Sequence, residues 1–251
     1  MKRKALIIGN SGNKNDSEEY LEGVEKDINN YNNFLQSNIG GAWNSDEITL
    51  SIDETKEELL QKILETKQES NDFVFVLFSG HGSYSLREEC RKLYVYDENS
   101  TSSDNYDFLY EYELTNIADK QITIIDTCAN NEDDDLLKES TLMDGLSASY
   151  ESYKDNYIYR YRYENAIESC QDQQVVLYSS SIDESSNDDS ELGGLFAYNL
   201  LKIATRNKQE VLSAKEAYSD AKKQVQTKTK GKQNPQCRCI KSITLPFSIK
   251  E

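Results

Sequence analysis

Six consecutive apolar residues, Phe73-Val74-Phe75-Val76-Leu77-Phe78, stop at Ser79-Gly80-His81-Gly82. A strand sends alternate side chains to opposite faces, so a β-branched and aromatic run with no polar position is covered on both faces. It reads as a strand buried inside a parallel sheet, ended by glycine at the sheet's carboxyl edge. The edge receives His81, the only histidine of the 251 residues, so any imidazole chemistry falls there.

A second short buried strand, Gln121-Ile122-Thr123-Ile124-Ile125-Asp126-Thr127, runs directly into Cys128. Two parallel strands ending in a histidine and a cysteine bring both side chains to one rim, where α/β sheets bind ligands. An imidazole within reach of a thiol takes its proton, and the thiolate attacks carbonyl carbon. Singly, such a histidine is a structural residue and such a cysteine a small core residue. It is their arrival at two strand ends that points to a cysteine nucleophile with an imidazole base.

The remaining chain supplies the layers around these strands. Lys4 to Gly9 reads as a first strand, followed by a polar loop from Asn10 to Asp16. Val24, Ile28, Tyr31 and Leu35 fall on one helical face, and Gly40-Gly41 breaks the chain. Ile48 to Ile52 is a strand, and Thr55 opens a helix whose apolar face carries Leu59, Leu60, Ile63 and Leu64. Leu93 to Tyr96 reads as a small hairpin strand and Tyr112 to Leu114 as a short helix. Residues 130–172 hold acidic and tyrosine-rich stretches, with no strand signal outside YKDNYIYRYRYEN, and are expected to form a loop, helical in part. Beyond them come a strand from Gln174 to Ser179, an acidic loop from Ser185 to Glu191 and a helix through Leu195, Tyr198, Leu201 and Ile203. A helix from Ser213 to Val225 and a last strand from Ile240 to Phe247 complete the chain. The β-α-β-α-β order is that of an open, mostly parallel sheet with helices on both faces.

No linker of Pro, Gly and Ser divides the chain, so it is read as one domain over residues 1–251. With 28 basic and 45 acidic residues, a net charge of −17 argues against nucleic acid or an anionic membrane as partner and favours a cationic substrate or a metal. No apolar stretch approaches the roughly 20 residues of a membrane span, and the first strand begins too early for a secretion signal. Five scattered cysteines fit a reducing, cytoplasmic setting. Cys237 and Cys239 resemble half of a metal site, but no second pair has zinc spacing, and they read as ordinary residues.

The motifs resemble those of the caspase-like cysteine peptidases, and among them the metacaspases and their bacterial relatives. KALIIGN resembles the family's first strand, FSGHGS its histidine motif, IIDTC its cysteine motif, and VVLYSSS with GGLFAYNLL its small-subunit strand and helix. The 47 residues from His81 to Cys128 are close to the roughly 50 of caspases. The resemblance implies a caspase-like sandwich around a roughly six-stranded sheet. Residues 1–129 would be its large-subunit part, 130–172 a loop cut during activation, and 173–251 its small-subunit part.

Carried onto this sequence, the resemblance makes His81 the general base and Cys128 the nucleophile, with the N–H groups of Gly82 and Cys128 as the oxyanion hole. It implies a specificity pocket of Asp27, Ser79 and Asp126, with Asp183 near a further acidic position, selecting Arg or Lys on a protein substrate. An activating partner or self-cleavage after Lys138, Lys154, Arg160 or Arg162 would switch it on. No cofactor is required for the chemistry, but calcium is a candidate activator. The paired Asp of many metacaspases is replaced here by Glu111, Tyr112 and Glu113, which leaves Asp97, Asp104, Asp107 and Asp135 as candidate calcium ligands. A catalytically silent partner-binding module and a cysteine hydrolase of other specificity are the competing readings.

Overall fold

The computed structural model describes residues 1–12, 20–96, 107–127 and 156–251. In chain order the strands are β1 (Arg3–Asn10), β2 (Ile48–Ile52), β3 (Phe73–Gly80), β4 (Gly82–Ser85), β5 (Cys90–Val95), β6 (Asp107–Tyr110), β7 (Lys120–Asp126), β8 (Gln173–Tyr178), β9 (Asp188–Asp189), β10 (Gly193–Gly194), β11 (Val211–Ser213), β12 (Gln236–Cys239) and β13 (Pro246–Ile249). The helices are α1 (Gly23–Gln36), α2 (Lys56–Gln68), α3 (Asn156–Glu168), α4 (Leu195–Thr205) and α5 (Ala214–Lys228).

Six strands form the central sheet in the order β12-β8-β7-β3-β1-β2, all parallel except the antiparallel edge strand β12. The fully apolar β3 lies between β1 and β7 and is buried along its whole length. Alternate residues of the strands feed two cores. Phe73, Phe75 and Leu77 of β3, with Ile122 and Ile124 of β7, pack against α1, α3, α4 and α5. Val74, Val76 and Phe78, with Ile125, pack against α2 and the three-stranded sheet β4-β5-β6. Thr55 caps α2, its hydroxyl accepting from the Glu58 N–H while the Glu58 carboxylate accepts from the Thr55 N–H. Among the described residues no helix is long and apolar enough to cross a membrane.

One expectation changes. Ile240 to Phe247 is not one strand. Gln236 to Cys239 pairs with β8, whereas Pro246 to Ile249 pairs with β11 in a separate two-stranded sheet. Between them Ile240 and Ile243 are 95% and 79% exposed, so the apolar pattern there follows no buried face. The helical part of the expected loop is α3, which takes in most of the tyrosine-rich stretch. Its pairs are helical ones: Tyr157 stacks on Tyr161, Arg160 bonds Glu164, and Tyr163 and Ile167 enter the core. Arg160 also reaches Glu47, and the buried Arg3 guanidinium lies 4.4 Å over the Trp43 ring, tying α3 to β1 and the turn after α1. The hairpin strand expected at Leu93–Tyr96 is the longer β5, and the short helix is a 3-10 turn over Glu111–Leu114.

Candidate active site

The parallel register of β3 and β7 sets Ser79 opposite Asp126. His81 follows Ser79 by two residues, so the expected base leaves the sheet beside the end of β7. The half-buried His81 is held through its backbone, whose carbonyl accepts from the Tyr94 N–H at 3.0 Å. Cys128 lies outside the described residues, and the chain before it is clamped. The Thr127 N–H donates to Ser179 Oγ at 3.1 Å, and the Thr127 carbonyl accepts from the hydroxyls of Ser179 and Ser180 at 3.0 and 3.2 Å. The Ser180 carbonyl in turn accepts from Arg91 at 2.7 Å.

Gly82 is required by this packing. A Cβ there would stand 2.8 Å from the Lys92 carbonyl oxygen and 3.0 Å from the Thr127 side chain. Its own neighbours exclude a side chain there before any substrate approaches.

Asp27, Ser79 and Asp126 are brought together from α1, β3 and β7. Asp27 sits on the apolar stripe of α1, between Val24 and Ile28, and is therefore turned inward and only 1% exposed. Its Oδ2 accepts from Ser79 Oγ at 2.7 Å, and both its oxygens accept from the Gly194 N–H at 3.1 Å. Asp126, 4% exposed, accepts from Ser186 Oγ at 2.7 Å and from the Ala197 N–H at 2.9 Å. Burial holds the Asp27 carboxyl well above the usual carboxylate range, reinforced by Asp126, and burial raises Asp126 against the pull of its hydrogen bonds. Amides and hydroxyls, rather than a cation, are the partners of the pair among the described residues. Gly193 and Gly194 lie directly over it: a Cβ on Gly193 would stand 2.0 Å from an Asp27 oxygen, and one on Gly194 would stand 2.4 Å from an Asp126 oxygen. Only glycine lets the start of α4 close on two carboxylates.

Asp183 is not part of this group. It is exposed on a left-handed turn with φ 64°, and no hydrogen bond of Asp27 or Asp126 reaches it. Ser186 takes the place beside Asp126 instead. The fully buried Gln233 fixes that loop, donating to the Ser179 carbonyl at 2.9 Å and to Ser186 Oγ at 3.2 Å while accepting from Asn187 Nδ2 at 2.8 Å. Ser179, Ser180, Ser186, Gln233 and Arg91 were missed from sequence because their partners lie 46 to 89 residues away.

The described acids near the expected calcium position face internal cations. Asp107 accepts from Lys56 at 3.2 Å. Glu111 lies near Arg91, accepts from Arg238 at 3.4 Å and accepts from Tyr178 at 3.2 Å. Each of the two is already paired with a cation in this arrangement. Among the described residues no three or more His, Cys, Asp or Glu gather around a point that could hold a metal ion. Asp97, Asp104 and Asp135 lie outside them.

The caspase domain model matches residues 2–245, nearly the whole chain. The chain belongs to the caspase domain family. This caspase-domain chain also matches the crystal structure of caspase-1 from Spodoptera frugiperda over 100% of its own length and 91% of that chain, with TM-score 0.63 at 15% identity. That likeness establishes the fold. A search of the curated proteins returned no match. Members of the caspase domain family are cysteine peptidases, which supports a hydrolase.

Proposed function

We propose that this caspase-domain protein is a cysteine endopeptidase in which Cys128 attacks the scissile carbonyl. His81 would take the thiol proton and return it to the leaving amine. The N–H groups of Gly82 and Cys128 would receive the charge that develops on the carbonyl oxygen. The observation that supports the reading is the β3–β7 register, which sets Ser79, two residues before His81, beside Asp126, two residues before Cys128 in sequence.

Asp27 and Asp126 support a basic residue on the amino side of the cut. Two buried carboxylates without a cation would bind a guanidinium through charge-assisted hydrogen bonds, each worth about 1.5–3 kcal/mol, and would repel an aspartate. Since Gly193 and Gly194 cover the pair, a substrate side chain reaches it only when this segment moves aside. A second reading rests on the same bonds: the acids cap the start of α4 through Gly194 and Ala197 and take no part in specificity.

Fluorogenic peptides ending in Arg, Lys, Asp and Ala separate these readings when assayed with wild type, His81→Ala, Cys128→Ala and Asp126→Ala. Loss of turnover in both His81→Ala and Cys128→Ala is expected, and near wild-type rates in either folded variant would remove the catalytic pair. An Arg or Lys preference that falls about tenfold or more in Asp126→Ala supports the pocket, one bond of 1.5–3 kcal/mol being worth at least that. A preference for Asp, or an unchanged Arg preference, supports capping alone.

A further inference from the structure

Cys237 and Cys239 stand two residues apart on β12, the edge strand of the central sheet, and strand geometry puts both side chains on one face. That face turns toward the core under α5, where both cysteines pack against buried residues while remaining partly open to solvent. The two sulfurs are 3.0 Å apart, with the Cys237 S–H donating to the Cys239 sulfur. A disulfide needs its sulfurs at about 2.0 Å and its Cα atoms within about 6.8 Å. Two steps of strand at roughly 3.3 Å each bring the Cα atoms to the upper end of that window.

We propose that Cys237 and Cys239 form a reversible dithiol–disulfide site, closed by hydroperoxides. The Cys239 sulfur, which accepts the hydrogen bond, is the attacking group. As a thiolate it attacks the distal oxygen of the hydroperoxide; the S–O bond forms as the O–O bond breaks, the distal OH stays on Cys239 as a sulfenic acid, and the displaced alkoxide takes up the proton the Cys239 thiol released and leaves as an alcohol, or as water from hydrogen peroxide. The Cys237 sulfur then attacks the Cys239 sulfur, the S–O bond breaks, and the hydroxyl leaves with the Cys237 proton as water. Two thiols have lost two electrons and two protons, and one hydroperoxide has been reduced.

Burial and the neighbouring sulfur push the Cys237 thiol up to about 12, so it keeps its proton until the second step. A bond at the long limit of Cα separation contracts an extended strand, which makes the disulfide a readily reduced one rather than a permanent staple. β12 absorbs this because it is an edge strand, paired only with β8.

The sequence supplies a direct readout. Trypsin cuts after Lys232, Arg238 and Lys241, which separates the two cysteines onto peptides 233–238 and 239–241. The full chain would be treated with hydrogen peroxide, blocked with N-ethylmaleimide and digested without reductant. The expected result is loss of both alkylated peptides and their appearance as one linked species that dithiothreitol splits. In Cys237→Ser, Cys239 should instead be captured as a sulfenic acid by dimedone. Recovery of both peptides alkylated, or conversion of Cys239 to the sulfinic acid without a linked species, would overturn the proposal. So would equally fast closure in urea-unfolded chain, since the folded strand would then contribute nothing.

Discussion

Asp27 is the residue whose chemistry differs most from its appearance in the sequence. Burial and the Asp126 charge raise its folded-state pKa, so the folded chain binds protons more tightly there than the unfolded chain. Stability from this group is greatest below the unfolded value of about 3.9 and is lost as pH rises toward the folded value. Asp27→Asn removes the charge and keeps an oxygen to accept from Ser79 and Gly194. Its expected effect is a higher melting temperature than wild type at neutral pH, with the difference shrinking as pH falls toward the unfolded carboxyl range. Paired melts across that range check it; a variant less stable than wild type at neutral pH would mean that the carboxylate's hydrogen bonds outweigh its burial. Asp27 is legible as a candidate because it matches a family pattern, but its burial follows from its place on the α1 stripe. Asp183 matches less securely and falls on an exposed turn, where no apolar helical stripe turns it inward.

The helix α3 limits where a protease can cut the chain. Arg160 and Arg162, two of the four expected sites, lie on this helix, with Arg160 bound to Glu47 and Glu164 and Arg162 to Glu210. A protease threads an extended segment through its cleft, so a hydrogen-bonded helix anchored by Tyr163 and Ile167 is a poor substrate. Lys138 and Lys154 lie outside the described residues. Self-cleavage is therefore expected after Lys138 or Lys154, with Arg160 and Arg162 intact. Mass spectrometry of fragments from wild type and Cys128→Ala checks this, and a cut after Arg160 or Arg162 in the folded protein would show that α3 opens first. The alternation of tyrosine and arginine suggests a strand when read alone; the partners Glu47, Glu164 and Glu210 make it a helix. Tertiary contact outweighs a short local pattern here.

Both cores share one sheet, so unfolding either face exposes the back of the other. Phe75 faces the helical core and Val76 the core under α2, from adjacent positions of β3. Phe75→Ala is expected to cost about 3–5 kcal/mol, a large part of the 5–15 kcal/mol that holds a typical domain. In urea, Phe75→Ala and Val76→Ala should each shift one common transition seen by circular dichroism and tryptophan fluorescence; separate transitions for the two faces would divide the chain into two units. The sequence alone determined the layers, because an apolar run such as Phe73 to Phe78 cannot be satisfied anywhere except between two covered faces. It also placed His81 just past the end of such a run, since glycine stops it. Tertiary structure decided what surrounds the strand ends. The clamp on Thr127, the Gln233 strap, the glycines over Asp27 and Asp126, and the exit of the chain from β12 to β13 all depend on residues far apart in sequence. Hydrogen bonds between such residues are set by how the sheet and helices stack, and no local periodicity encodes that geometry.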